Sequence, residues 1–272
     1  MKAIFGVPLG VAVLVVLSTV GAHAQTCVGN CGAETSADGD VTLAPGFSSF
    51  NYVSSYNGTT GGGNLPVGAP SNSTDGSTAT TGAFTATAGE TLQFYFNFIT
   101  SDGSGFPDYG WAELETGSGT PLGLIFSAQT TPTGNTVPAA GGPEFDLLSG
   151  VILTPPTTGI GPGSGTTGGP VWSELGPWSG DCWAAGCGLT GWVLEDYTVP
   201  TAGTYELAFG VSNENDTLYD TGLAYAGVEI GGTPITTSTT PEPGSLILLG
   251  TGLLGLGGGY VRSRLAALRV GA

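Results

Sequence analysis

Between Gln25 and Pro241 the chain contains no lysine, no arginine and no histidine. The four Lys and Arg of the whole sequence are Lys2, Arg262, Arg264 and Arg269, and the single His is His23. That absence excludes several functions at once. Without histidine there is no Ser-His-Asp or Cys-His nucleophilic device. Without lysine there is no Schiff-base chemistry and no phosphate-cradling Gly-x-x-x-x-Gly-Lys. Without a basic patch, the stretch holds neither nucleic-acid phosphates nor anionic lipid headgroups. It also forms no internal salt bridge. Twenty of the 21 Asp and Glu lie there, Glu242 being the other. The resulting side-chain charge is about −20 near neutral pH. Those carboxylates must be solvated, hydrogen-bonded to backbone donors, or neutralised by bound cations. Helical periodicity is missing as well: no segment of 25–241 repeats apolar residues at the 3.6-residue period.

What is present instead is glycine, 50 of 272 residues, with 18 prolines. These punctuate short strand signals. Leu92, Phe94, Phe96 and Phe98 alternate with Gln93, Tyr95 and Asn97, a period of two with one apolar face. Further strands are predicted at Trp111–Glu115, Leu122–Thr130, Gly191–Thr198, Thr204–Ser212 and Leu223–Ile230. Asn57–Thr81, with Gly61-Gly62-Gly63 and few large apolar residues, reads as a long surface loop, as do Pro132–Pro143 and Pro155–Pro170. Many short strands with Gly/Pro turns predict an all-β, jelly-roll-like antiparallel β-sandwich. Thr87-Ala88-Gly89 and Thr201-Ala202-Gly203 each open a strand that runs into an acidic loop and a further strand; two related β-hairpins would suit a two-sheet sandwich, and the alternative is plain reuse of one strand-and-polar-turn pattern without true repetition.

The two ends differ from the middle. Met1–Ala24 has a positive start at Lys2, the apolar run Ala3–Val20 and the small-x-small sequence Ala22-His23-Ala24, the pattern of a secretory signal peptide cut before Gln25. Lipid attachment at Cys27 is disfavoured because Ala24-Gln25-Thr26 is a poor match to the residues that precede a lipidated cysteine. At the other end, Pro241-Glu242-Pro243 is followed by the uncharged run Ser245–Val261 and then by Arg262, Arg264 and Arg269. Seventeen residues make a helix of roughly 25 Å, near the lower limit for a bilayer core. The arginines act as a positive stop that stays cytoplasmic. This three-part tail resembles the PEP-CTERM sorting signal. The resemblance implies an exosortase-type membrane processing enzyme as partner, with the C-terminal helix in the membrane before processing; a permanent anchor would look the same up to the cleavage step. The expected organisation is a signal peptide at 1–24, an extracellular β-sandwich at 25–232, a Ser/Thr/Pro linker at 233–240 and a sorting and anchor segment at 241–272. The stretches Phe98–Trp111, Cys182–Trp192, Phe209–Asn213 and Leu223–Tyr225 also look like a family of exported PEP-CTERM proteins with no established activity. That likeness supports a jelly-roll-type sandwich and supplies no catalytic residues.

The cysteines are Cys27, Cys31, Cys182 and Cys187. An even number in an exported chain predicts disulfides, and of the three possible connectivities the local one, Cys27–Cys31 with Cys182–Cys187, is expected. Zinc is disfavoured because the Cys pairs are far apart and no histidine joins them. The second bridge is expected to shape a turn around Trp178, Trp183 and Trp192. Calcium suits Asp, Asn and carbonyl oxygens, and Asp102 and Asp108 in one loop with Asn213, Asp216 and Asp220 in the other are its candidate ligands. The competing role for these side chains is the Asx-turn. Carboxylate-only hydrolysis would need a pair such as Glu113/Glu115 or Glu195/Asp196 across a cleft. Four of the five tryptophans fall within 172–192, and exposed rings there could stack on sugars. Ice binding would need a flat, regular threonine array, and Thr85-x-Thr87 is too short. The expected function is a non-enzymatic surface or exopolysaccharide-matrix protein of structural or adhesive role, with a carbohydrate-binding module or carboxylate-only glycoside hydrolase as the alternative.

Overall fold

The computed structural model describes residues 26–130, 136–140 and 142–235. The signal peptide, Pro241–Pro243, the apolar run, Arg262, Arg264 and Arg269 lie outside the described residues. Among the described residues, no helix is long and apolar enough to cross a membrane.

The strands in chain order are β1 Thr26–Val28, β2 Asn30–Glu34, β3 Phe50–Ser54, β4 Thr59–Thr60, β5 Ser73–Thr80, β6 Phe84–Ala86, β7 Thr91–Thr100 and β8 Tyr109–Thr116. They continue with β9 Pro121–Gln129, β10 Val151–Thr154, β11 Gly188–Leu189, β12 Val193–Thr198, β13 Gly203–Glu214, β14 Thr221–Ile230 and β15 Thr233–Pro234. Two short 3-10 turns, Pro143–Phe145 and Ser173–Trp178, lie between them. One sheet has the order β1-β5-β13-β8-β9, with β4 on β5 and β6 on β13; the other has β10-β12-β7-β14-β3-β2, with β11 on β7 and β15 on β14. All these pairings are antiparallel.

The sheets pack face to face through aromatic rings. Phe94 of β7 meets Phe209 of β13 edge-on at 5.2 Å, Phe96 meets Phe126 of β9 at 3.7 Å, and Phe209 stacks on Tyr225 of β14 at 3.9 Å. Leu92, Phe94, Phe96 and Phe98 are all fully buried, so the alternation in β7 marks the inner face as predicted. Burying one such ring contributes about 1.5–3 kcal/mol. The outer faces are covered too. Val41, Ala44, Trp172 and Leu175 pack over Ile99, Ala224 and Ala226 on the β7/β14 sheet. Leu65 and Phe145 pack over Tyr109, Trp111 and Leu124 on the other. Covering both faces explains why β8, Tyr-Gly-Trp-Ala-Glu-Leu-Glu, is buried at seven successive positions.

Two expectations are corrected. Asn57–Thr81 is no simple surface loop, because it contains β4 and β5, and β5 sits between β1 and β13. The segment passes close to its neighbours through small residues: a Cβ on Gly63 would lie 1.5 Å from the Val211 carbonyl oxygen, and one on Gly76 would lie 2.1 Å from it. Backbone takes the place that a large side chain would fill, so the strand carries no apolar signal. The echoed segments, moreover, are arches rather than hairpins. β7 and β8 lie in different sheets, as do β13 and β14, while β7 pairs with β14 and β8 with β13. The two arches therefore lie back to back, with their acidic loops side by side at one end of the sandwich. In addition, β15 pairs with β14 and Ile235 N donates to Val228 O at 2.8 Å, so the sheet takes up the first residues of the expected linker.

Candidate functional site: an acidic and aromatic end of the sandwich

The arch pairing brings residues 101–108 of one loop against 213–220 of the other. Asp108 is fully buried; Glu214 N donates to its Oδ1 at 2.9 Å and Thr221 Oγ1 to its Oδ2 at 2.6 Å. Burial is the largest influence on this carboxyl and holds its pKa well above the usual range, with the Asp102 charge adding to it and these two donors pulling against it. Ser55 Oγ donates to Asp220 Oδ1 at 3.0 Å. Burial raises Asp220 to about 6 against the Ser55 hydroxyl and the Asn213 amide. The same amide, fully buried, pulls down on Asp75, which burial raises. Asp216 Oδ1 accepts Leu218 N at 2.9 Å, the geometry of an Asx-turn. Asp102 Oδ1 accepts Gly103 N at 2.6 Å, while its Oδ2 has no hydrogen-bond partner. Burial raises Asp102 to about 7, Gly103 N opposes this, and the Asp216 charge adds to it.

The structure thus brings Asp102, Asp108, Asn213, Asp216 and Asp220 to one end. Among the described residues no group of three or more His, Cys, Asp or Glu is placed to hold a metal ion. Calcium takes six to eight oxygen ligands, and of the five candidates Asp108 is turned inward to a hydroxyl and a backbone N–H.

Both disulfides pair locally, Cys27 with Cys31 and Cys182 with Cys187. The first joins β1 of one sheet to β2 of the other. The second closes a loop that docks on the acidic arch: Trp183 N donates to Ser101 O and Ser104 N to Ala185 O, each at 3.0 Å. Trp183, 54% exposed, stands 5.2 Å from Tyr219, which stacks on Trp178 at 4.3 Å. A cavity of about 50 Å3 opens among Asp102, Trp183, Asp216, Leu218 and Tyr219. Trp192 and Trp172 lie elsewhere, on the covered outer face, where Trp192 donates to Thr42 O at 2.9 Å and Trp172 to Glu34 Oε1 at 3.1 Å. The turn around Cys182–Cys187 therefore gathers Trp178 and Trp183 but not Trp192. Tyr219 was not singled out by sequence; its positive φ of 55° beside Asp220 was invisible there. The hydroxyls of Ser55 and Thr221 were equally unmarked among so many Ser and Thr.

The carboxylate pairs considered for hydrolysis are placed differently. Glu195 and Asp196, adjacent on β12, point to opposite faces. Glu195 is fully buried among core residues with neither oxygen partnered, and burial first, then Asp196, holds it well above the carboxylate range. Glu113 and Glu115 share the covered outer face of β8, both buried, and burial with the Glu115 charge raises Glu113 to about 7. At the opposite end of the sandwich a cleft of about 410 Å3 is lined by Leu114, Leu122, Leu148, Tyr197, Pro200 and Tyr205 among others.

Comparison with known proteins bears on the C-terminal tail. No curated protein and no solved structure matches the chain. Residues 239–263 match the family model of the PEP-CTERM protein-sorting motif, so the chain carries a PEP-CTERM motif, the mark of an exported protein sorted at the envelope by an exosortase system.

Proposed function

We propose that this is a non-enzymatic structural or adhesive component of the cell surface or exopolysaccharide matrix, exported through its N-terminal leader and held in the membrane by its C-terminal helix until processing. The observation that carries the reading is the sorting motif at 239–263 attached to a two-sheet sandwich. The sandwich itself supports a passive role. Its buried carboxyls are bonded into loops or enclosed within packed faces, and the chain from 25 to 241 has no base of the His or Lys kind. Numbering β3, β5, β7, β8, β9, β12, β13 and β14 from one to eight gives sheet orders 2-7-4-5 and 6-3-8-1, which supports a jelly roll, an architecture shared by lectin domains. Trp183, exposed beside Tyr219, favours a second reading as a carbohydrate-binding module, with exopolysaccharide as ligand.

Targeting tests the first reading. Deleting Gly244–Ala272 should release soluble protein to the periplasm or medium, and persistence in the membrane fraction would remove the tail as anchor. Replacing Glu242 in an exosortase-containing host should change the mature mass. Glycan-array binding together with glycoside turnover assays separates matrix component, sugar binder and hydrolase.

A further inference from the structure

We propose that the cavity between Trp183, Tyr219, Asp102 and Asp216 binds a primary alkylammonium group, through carboxylate hydrogen bonds on one side and aromatic faces on the other. The site draws its parts from three loops: Asp102 from the β7–β8 arch, Asp216, Leu218 and Tyr219 from the β13–β14 arch, and Trp183 from the Cys182–Cys187 loop. None of these parts hangs free. The Trp183 backbone is bonded to Ser101, Phe106 abuts the Trp183 ring at 6.4 Å, and Trp178 backs Tyr219. The aromatic walls are therefore set before any ligand arrives.

Three observations select the chemistry of the ligand. Asp102 is 1% exposed and its Oδ2 has no hydrogen-bond partner. A buried, unpartnered carboxylate oxygen carries the full desolvation penalty, which a donor that reached it would relieve, and Asp102 is one of the residues lining the cavity. Second, no Lys, Arg or His occurs among the described residues, so no cation of the domain itself can occupy the site. Third, the walls other than the two carboxylates are indole, phenol and leucine. Such walls suit a cation on a carbon stem, which gains from the ring faces. They do not suit calcium, which would need several more oxygens. The volume of about 50 Å3 is enough for a small polar head group. The excess of negative charge on the domain would concentrate cations at the surface. The group could come from a free amine or from a lysine of a partner protein. The site stands independently of how the domain is delivered.

Asp102 also gives the site a pH dependence. With its carboxyl raised to about 7, chiefly by burial, binding strengthens as pH rises through neutrality and releases a proton. Asp216 and the Tyr219 phenol in the cavity, with Asp108 behind it, are the titratable groups that face Asp102.

The test uses the full chain in a maltoside detergent, which carries no ammonium group, at fixed ionic strength. Tryptophan fluorescence is titrated with n-butylammonium, Nα-acetyl-lysine methylamide, n-butanol, glucose and calcium. A saturable change is expected with the two amines. Asp102→Asn, which keeps the acceptor for Gly103 N, should weaken it about tenfold, the scale of one lost charged partner. Trp183→Ala, at an exposed ring, should abolish the fluorescence change, and calorimetry should show weakened binding. A response to butylammonium equal to that of the lysine derivative assigns the site to free amines. A tighter response to the lysine derivative assigns it to protein lysines. Equal responses to butanol or glucose, displacement of the amine by calcium at matched ionic strength, or an unchanged affinity in Asp102→Asn would overturn the proposal.

Discussion

The loop carboxyls of Asp40, Asp108 and Asp216 and the strand carboxyls of Glu113 and Glu195 have opposite fates. In the loops, Asp108 takes a backbone N–H and a hydroxyl, Asp216 takes Leu218 N, and Asp40 takes Ser164 N and Val171 N at 2.8 Å each. Burial pushes Asp40 up, but those N–H groups outweigh it and its pKa ends below the usual value. On the strands, Glu195 has no partner for either oxygen and Glu113 has none for Oε2. The difference follows from where donors are free. Strand N–H groups are spent on the ladder, whereas loops leave theirs to side chains. In most domains a lysine or arginine would serve the strand carboxyls, and here the composition forbids it.

The largest effect should come from the loop side. Asp108→Ala leaves the buried Glu214 N–H without its acceptor and the Thr221 hydroxyl with Thr100 Oγ1 alone, and should cost about 3 kcal/mol by chemical denaturation. Asp108→Asn, keeping the size and one acceptor, should cost clearly less. If both are near neutral, the loop carboxyls are not structural clamps.

The strand side should respond in the opposite sense. Glu195→Met removes an unpartnered buried carboxyl at similar volume and should stabilise by about 1–3 kcal/mol. The pH dependence gives the sign. Burial raises Glu195 well above its usual value and raises Glu34, Asp102 and Glu113 to about 7. A raised folded-state pKa contributes stability that is fully present below the unfolded value and is lost as pH rises through the folded one. The wild-type melting temperature should therefore fall between pH 5 and pH 8, and the gain from Glu195→Met should be larger at pH 8. A melting temperature that rises with pH would show that paired, depressed carboxylates dominate instead.

The smallest effect should come from the second disulfide. Replacing Cys182 and Cys187 together by Ser opens a short loop that is also held by the Trp183–Ser101 and Ser104–Ala185 hydrogen bonds. About 1 kcal/mol or less should be lost, at the low end for a bridge, with Trp183 emission shifting while the fold persists. Global unfolding on reduction would mean that the hydrogen bonds of this end do not suffice.

Legibility in the sequence follows the same division. β7 could be read because Leu92, Phe94, Phe96 and Phe98 alternate against one core face. β5 could not, because close passage at Gly63 and Gly76 puts backbone where a large side chain would signal burial. The acidic loops were visible as a pair, but pairing by sequence predicts hairpins, and only the sheet order shows two arches back to back. Hence Asp102 and Asp216 could be named, while the hydroxyls that claim Asp108 and Asp220 could not. Nor does composition separate Trp183, standing at the surface, from Trp172, fully buried against the β7/β14 sheet.

Strand β15 sets a limit on reach. With Thr233–Pro234 paired to β14 and Ile235 bonded to Val228, only five residues, 236–240, lie in sequence between the last described residue and Pro241. Even fully extended, five residues span at most about 18 Å. An enzyme that reads Pro241-Glu242-Pro243 must work with the sandwich almost against its own surface. Clearance, as well as the motif, would then govern processing: lengthening that tether should ease access, and shortening it should jam the domain against the enzyme.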